Sequence, residues 1–157
     1  MEIVEFIFGG RVNLKRIAIL LFTIMLLTAC SETTTNDYKF SGESENWEAE
    51  YLYKGTEKWG EKDGKKSYSN EDSYEFVLEY KGSLEELSSL QKLEYSYETI
   101  SSSGKSTEEF TEPPSTVTFS SSGSSKGGAK VSEDEVIIVN VKWDDFEESF
   151  ELLNNSK

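Results

Sequence analysis

The residue with the most distinctive chemistry in this 157-residue chain is Cys30, its single cysteine. A lone thiol can form a thioether, but it has no partner for a disulfide within the chain. Because histidine is also absent, the chain lacks the ordinary ligands of a zinc or haem site. It cannot assemble a Ser-His-Asp or Cys-His nucleophile from its own residues either. The sequence therefore predicts a protein without catalytic residues, cofactor or metal.

Carboxylates are the other abundant reactive groups, with 30 Asp and Glu against 16 Lys and Arg. The acidic runs at residues 133–135 and 144–148 could bind extracellular calcium, but no Asp-x-Asp-x-Asp-Gly loop is present. A pair of carboxylates could also serve a glycosidase, yet so many acids make chance pairs unavoidable. We interpret the runs as solvated charge and keep a small-ligand or calcium-binding module as the alternative function.

The net charge of −14 argues against nucleic acid as a partner, because such binding is driven by Lys and Arg replacing counterions along the phosphates. Residues 30–157 are still more acidic, with 13 Lys against 28 Asp and Glu, a net charge of −15. The expected partners are therefore a protein or a cell-envelope component.

The first 29 residues have the organisation of a secretory signal. Arg11, Lys15 and Arg16 form a positive patch, and the uncharged run 17–29 follows it. As a helix these 13 residues span about 20 Å, which is short of the roughly 30 Å hydrocarbon core. The length is typical of a signal h-region rather than a transmembrane helix.

The end of this run, Leu27-Thr28-Ala29-Cys30, resembles the lipobox of bacterial lipoproteins. The resemblance implies that signal peptidase II recognises Leu27, Thr28 and Ala29 and cuts before Cys30, whose sulfur carries a diacylglycerol. The lipid would hold the protein on the outer face of the cytoplasmic membrane, in a bacterium of the Gram-positive type. The expected organisation is a signal peptide at 1–29, the lipidated cysteine with a short linker at 30–37, and one β domain at 38–157.

Apolar and polar residues alternate with period two through most of residues 38–157, which is typical of half-buried strands. Asp144-Asp145 is turn-prone and predicts a carboxy-terminal hairpin. The predicted strands are 38–40, 47–53, 74–80, 93–98, 107–111, 116–120, 136–143 and 147–152. Short strands of this kind, about seven in number, predict an all-β antiparallel sandwich, immunoglobulin-like, with a small open β-barrel as the alternative.

The segments between the predicted strands are mostly polar. Residues 83–90 contain a capping-box pattern and predict one or two helical turns. Residues 55–70, 101–106 and 120–130 are rich in Ser, Gly and Lys and are predicted as connections, the last of them mobile.

Three tryptophans could bind a ligand by stacking. Trp47 and Trp143 fall on the apolar faces of predicted strands and are expected in the core. Trp59 lies in a polar stretch, so it is a candidate exposed binding aromatic, although packing over a sheet edge is the preferred interpretation.

Two segments resemble uncharacterised lipoproteins of Gram-positive spore-forming bacteria. The first is residues 41–47 with the strand that follows, and the second is the hairpin that contains Val141-Lys142-Trp143. This resemblance implies no specific activity. The expectation is a non-enzymatic, lipid-anchored binding or interaction module at the cell envelope.

Overall fold

The computed structural model describes residues 31–62 and 64–155. Its eight strands are β1 (Glu32–Glu43), β2 (Trp47–Lys62), β3 (Lys65–Tyr80), β4 (Lys92–Glu98), β5 (Ser103–Glu109), β6 (Thr118–Lys126), β7 (Ile137–Trp143) and β8 (Phe146–Asn154). A short 3₁₀ helix, Glu86–Ser89, lies within the predicted helical segment. The all-β fold class is confirmed. The predicted targeting segment and Cys30 lie outside the described residues.

The strands form one antiparallel sheet in the order β5-β4-β7-β8-β1-β2-β3-β6. The chain divides into two compact units. The first unit contains residues 33–58 and 68–157, and the second unit contains Trp59–Ser67. Within the first unit, Phe76 of β3 stacks on Tyr95 and Tyr97 of β4, with ring centroids 5.7 and 4.6 Å apart. Four strands separate β3 from β4 in the sheet order, so the sheet folds over its own apolar face. This geometry satisfies the two-layer prediction and is equally compatible with the small barrel.

The core lies between these facing parts of the sheet and is rich in aromatic residues. In β7 the buried positions are Ile137, Val139 and Val141, as the alternation predicted. Trp47 is also fully buried, and Trp143 packs against its ring at 5.6 Å. The buried apolar residues are Phe40, Trp47, Ala49, Tyr51, Tyr53, Phe76, Leu78, Leu87, Leu90, Leu93, Tyr95, Tyr97, Phe119, Val131, Ile137, Val139, Val141, Phe150 and Leu152.

Of the three predicted connections, residues 101–106 are partly strand, with 103–106 in β5, and the other two are strand over most or much of their length. Most of residues 55–70 belong to a long β2–β3 hairpin, in which Gly64 adopts φ +72° at the turn. Much of residues 120–130, predicted to be mobile, forms β6, which pairs with β3 over nine positions. Both segments carry few apolar side chains, so the backbone pairing that holds them leaves little trace in the hydropathy pattern.

The predicted linker is also largely strand. β1 begins at Glu32, so residues 32–37 are extended sheet residues rather than a free connection. In the described part of the chain only Ser31 precedes this strand.

The predicted carboxy-terminal hairpin is present as β7–β8. Asp144 takes φ +49° in its two-residue turn, a left-handed conformation that Asp tolerates better than most residues. Its Oδ1 accepts hydrogen bonds of 3.0 Å from the backbone N–H groups of Gln91 and Lys92. The turn is thereby attached to the start of β4.

Candidate functional site

Five tyrosines from four strands form a continuous cluster in the first unit. Tyr51 and Tyr53 share a face of β2 because they are two residues apart. Tyr51 stacks on Tyr74 of β3 at 5.3 Å, and Tyr74 meets Tyr97 of β4 edge-on at 5.7 Å. Tyr38 of β1 stacks on Tyr53 at 5.9 Å. We call these five residues the tyrosine cluster.

A cavity of about 290 Å³ opens beside the cluster. Tyr51, Tyr53 and Tyr74 form its aromatic wall, and Asp72 supplies a carboxylate. The rest of the lining consists of small residues, namely Ser101, Ser102, Ser124, Ser125, Gly128, Ala129 and Val131. We call this space the tyrosine cavity. It combines aromatic rings, hydroxyl groups and one acid, which is the usual make-up of a site that orients a polar ligand.

Three tyrosines of the cluster, Tyr51, Tyr53 and Tyr97, remain protonated at physiological pH. Burial, reinforced by the neighbouring Tyr97 and Tyr74, raises the pKa of Tyr51 well above its ordinary value. Burial also raises the pKa of Tyr97 and of Tyr53. Tyr51 and Tyr53 therefore contribute no charge to the cavity wall.

Asp72 is the acidic group of the cavity lining. Its Oδ1 accepts hydrogen bonds from the backbone N–H of Ser125 at 3.1 Å and from the Ser125 hydroxyl at 2.8 Å. These two bonds fix the carboxylate beside β6, and the second oxygen remains available as an acceptor.

The serine rim of the cavity is held by a buried carboxylate. Glu135 is only 4% exposed and accepts hydrogen bonds from Ile100 N at 2.5 Å and Ser132 N at 3.1 Å. Next to it, Thr99 Oγ1 accepts from Ser102 N at 2.8 Å. The interpretation of residues 133–135 as solvated charge is thus wrong for Glu135, whose carboxylate satisfies backbone donors that would otherwise be orphaned.

The loop that follows β6 closes another side of the cavity. Asn70 Nδ2 donates to Gly128 O at 2.7 Å, and Asn70 O accepts from Gly127 N at 3.0 Å. Lys130 Nζ pairs with Glu57 Oε1 at 2.5 Å, and this hydrogen bond lowers the pKa of Glu57. Asn70 and Glu57 therefore position a loop that carries almost no apolar anchor of its own.

The residues singled out in the sequence fall elsewhere. Leu27, Thr28, Ala29 and Cys30 lie outside the described residues. Trp59 lies on β2 within the second unit, and its side chain is 48% exposed.

The sequence carries only a weak signal for the tyrosine cavity. Alternation in the predicted strands places Tyr51, Tyr74 and Tyr97 on inward faces, which by itself indicates core. Their one distinguishing mark is the choice of Tyr where Phe or Leu would fill a core without a hydroxyl. Asp72 lies between the predicted connection 55–70 and the predicted strand 74–80, so no pattern in the sequence marks it.

Within residues 31–62 and 64–155, no group of three or more Asp, Glu or Cys side chains lies close enough to share a metal ion. In the same ranges, we find no helix with the length and apolar character needed to cross a membrane. No protein-family model matches the chain, and comparisons with curated proteins and with solved structures also gave no match.

Proposed function

We propose that this protein is a non-enzymatic binding module, held on the outer face of a bacterial cytoplasmic membrane by a lipid on Cys30. The anchoring part is supported by the charge patch, the short apolar run and the Leu27-Thr28-Ala29-Cys30 motif. Two acyl chains give stable attachment, because each buried CH₂ contributes about 0.8 kcal/mol. The source would be a Gram-positive bacterium, in line with the resemblance of residues 41–47 to lipoproteins of such species.

The binding part is supported by the tyrosine cavity, and this is the observation that carries the proposal. A volume of 290 Å³ is at the lower end of the range for ligand pockets, which is about 300–1,000 Å³. The space therefore suits one ring or one side chain of a larger molecule rather than a whole large ligand. A sugar ring of a cell-wall fragment, or a side chain of a partner protein, would meet the rings of Tyr51 and Tyr74 and the carboxylate of Asp72.

Anchoring is tested by replacing Cys30 with Ser and fractionating cells that express each protein. We expect the native protein in the membrane fraction and the Cys30→Ser protein released from it, since serine cannot form the thioether. Equal membrane association of both proteins would contradict the anchor.

Ligand binding is tested with Asp72→Asn. The amide oxygen of the new side chain can still accept the two hydrogen bonds from Ser125, so the free energy of unfolding should fall by only about 1 kcal/mol. Calorimetric titration with soluble cell-wall fragments should show at least tenfold weaker binding for this variant. Asp145→Asn is the matched control, because Asp145 is exposed in the β7–β8 turn outside the cavity lining.

The second candidate is a small-ligand or calcium-binding module, and the enclosed cavity with its Asp72 carboxylate favours the small-ligand form of it. Binding of a free monosaccharide or amino acid as tight as that of the whole fragment would support this candidate over the envelope-binding one. Heat released on titration with calcium alone would support the calcium form.

A further inference from the structure

β6 ends the sheet, and its hydrogen-bonding pattern shows which of its backbone groups face outward. At one end Tyr80 N donates to Val117 O at 2.9 Å, and at the other end Gly127 N donates to Asn70 O at 3.0 Å. In an antiparallel ladder, every second residue bonds to the neighbouring strand. The odd-numbered residues from 117 to 127 therefore bond to β3, and the even-numbered residues from 118 to 126 direct their N–H and C=O groups away from the sheet.

Only the first part of this outer edge is occupied. Thr118 N donates to the side chain of Thr116 at 3.0 Å, and Ser120 O accepts from the Tyr95 hydroxyl at 3.4 Å. Beyond them, Ser122, Ser124 and Lys126 are exposed. Within the described ranges, no backbone hydrogen bond reaches these three residues from the outer side.

The edge of β6 also lacks the usual protection against pairing. Natural sheets cover their edge strands with charges, proline or bulges. The opposite edge strand, β5, carries Lys105, Glu108 and Glu109, and Glu108 shares the face of the inward-pointing residues. β6 carries a single charged residue, Lys126 at its end, which is paired with Glu71 of β3. Residues 118–125 contain no charged side chain and no proline, although the chain as a whole is 29% charged. An unprotected edge in such an acidic protein indicates a surface kept open for a partner.

The outer face next to this edge sets the chemistry of the partner. Glu75 and Glu79 of β3 point outward, because they alternate with the buried Phe76 and Leu78. Glu75 and Lys54 supply the charges of a concavity of about 560 Å³ that reaches the edge at Ser122 and Ser124. The serines are small, so a long side chain from an added strand can cross them and reach Glu75. A second copy of this chain would bring a further net charge of −14 to the same place, which disfavours self-association.

We propose that the open edge of β6, at Ser122, Ser124 and Lys126, accepts an extended peptide segment bearing lysine or arginine as a ninth strand. Main-chain hydrogen bonds to these three residues supply affinity, and alternate basic side chains lie over the serines towards Glu75, which is opposite Ser122. The proposal deepens the proposed binding role, names a peptide segment as the partner, and rests on that role.

The test uses the full chain in detergent micelles and two synthetic decapeptides, one alternating Lys and Thr and one alternating Glu and Thr. We expect the Lys-Thr peptide to bind and the Glu-Thr peptide not to bind. Hydrogen exchange should slow at the amides of Ser122, Ser124 and Lys126 when the Lys-Thr peptide is present. Absence of Lys-Thr binding, or protection confined to other strands, would overturn the proposal.

Two variants locate the site. Ser124→Pro removes an outward N–H without removing a bond to β3, and Ser122→Lys adds a like charge while leaving the backbone unchanged. Each should weaken Lys-Thr binding at least tenfold. Thr107→Pro removes the equivalent outward N–H from β5 and should leave binding unchanged. If Ser124→Pro does not fold, the result with Ser122→Lys decides, and unchanged binding by that variant overturns the proposal.

Failure of this test is distinguishable from failure of the proposed function. Ser124 also lines the tyrosine cavity, so the distinction is made with Ser122→Lys, whose position lies outside that lining. Absence of Lys-Thr binding would leave the Cys30→Ser fractionation and the titration of the native protein with cell-wall fragments unaffected.

Discussion

Glu148 of β8 ties the connection between β1 and β2 to the strand that lies beside β1 in the sheet. Its carboxylate accepts hydrogen bonds from Ser44 Oγ at 2.5 Å, Asn46 Nδ2 at 2.6 Å and Asn46 N at 3.2 Å. Burial opposes the charged form of Glu148. The hydrogen bonds from Ser44 and Asn46, together with the positive charge of Lys81, outweigh burial and lower the pKa of Glu148. The charged carboxylate thus stabilises a turn that has no apolar side chain of its own.

Glu148→Gln should lower the free energy of unfolding at pH 7 by about 1 kcal/mol, a value reduced for partial exposure. Because the folded-state pKa is depressed, this contribution is present above the ordinary carboxyl pKa of about 4.5 and is lost as the pH falls through the lowered value. Urea titrations at pH 7 and pH 3 measure it. Glu147→Gln, which affects only the exposed pair with Lys142, is the control and should change stability by less than about 0.5 kcal/mol. An equal loss in both variants, or a loss that persists at pH 3, would refute this role.

At the scale of single elements, the part of β6 beyond the buried Phe119 is held by its neighbour rather than by its own side chains. Gly123 pairs with Tyr74 of β3, and a Cβ at Gly123 would stand 2.8 Å from that ring. Gly104 and Tyr97 repeat the arrangement on β5 and β4. Each tyrosine covers a glycine on the edge strand, which compensates for the missing side chain there.

Gly123→Ala should therefore destabilise the protein by about 1–3 kcal/mol, since the added methyl must displace Tyr74 from its stack on Tyr51. Near-ultraviolet circular dichroism should change with it, and chemical denaturation gives the energy. Ser122→Ala, one residue earlier on the outward face, should be neutral. A neutral Gly123→Ala would mean that the tyrosine does not support the edge strand.

A comparison of β7 with β6 shows how much of the fold could be predicted from the hydropathy pattern of the sequence. β7 was predicted because Ile137, Val139 and Val141 alternate on one face and are β-branched. Only the start of β6 was predicted, as the strand 116–120. The rest was missed because its Ser and Gly residues match a mobile loop, and the partner strand and the tyrosine that hold it lie far away in sequence. The tyrosine cavity was missed for a related reason: alternation shows which tyrosines face inward, but it does not show where their packing leaves a space.

At the scale of the whole molecule, the start of β1 changes the expected reach of the lipid tether. A free linker of residues 31–37 would span at most about 25 Å. The sheet begins at Glu32, and the two residues of chain from position 30 to that strand can span at most about 7 Å. A lipidated body with a net charge of −15 would then lie within about one Debye length, roughly 8 Å, of the bilayer surface. Repulsion by anionic lipid would keep the body from lying flat. Tight sedimentation of the unlipidated protein with anionic liposomes would contradict this arrangement.

The intact mass of the native protein, extracted from the membranes of its own cells, tests the anchored-domain account most directly. The account predicts a chain that begins at Cys30 and carries at least one diacylglycerol on the sulfur. A chain that still contains the residues before Cys30, with an unmodified thiol, would contradict it.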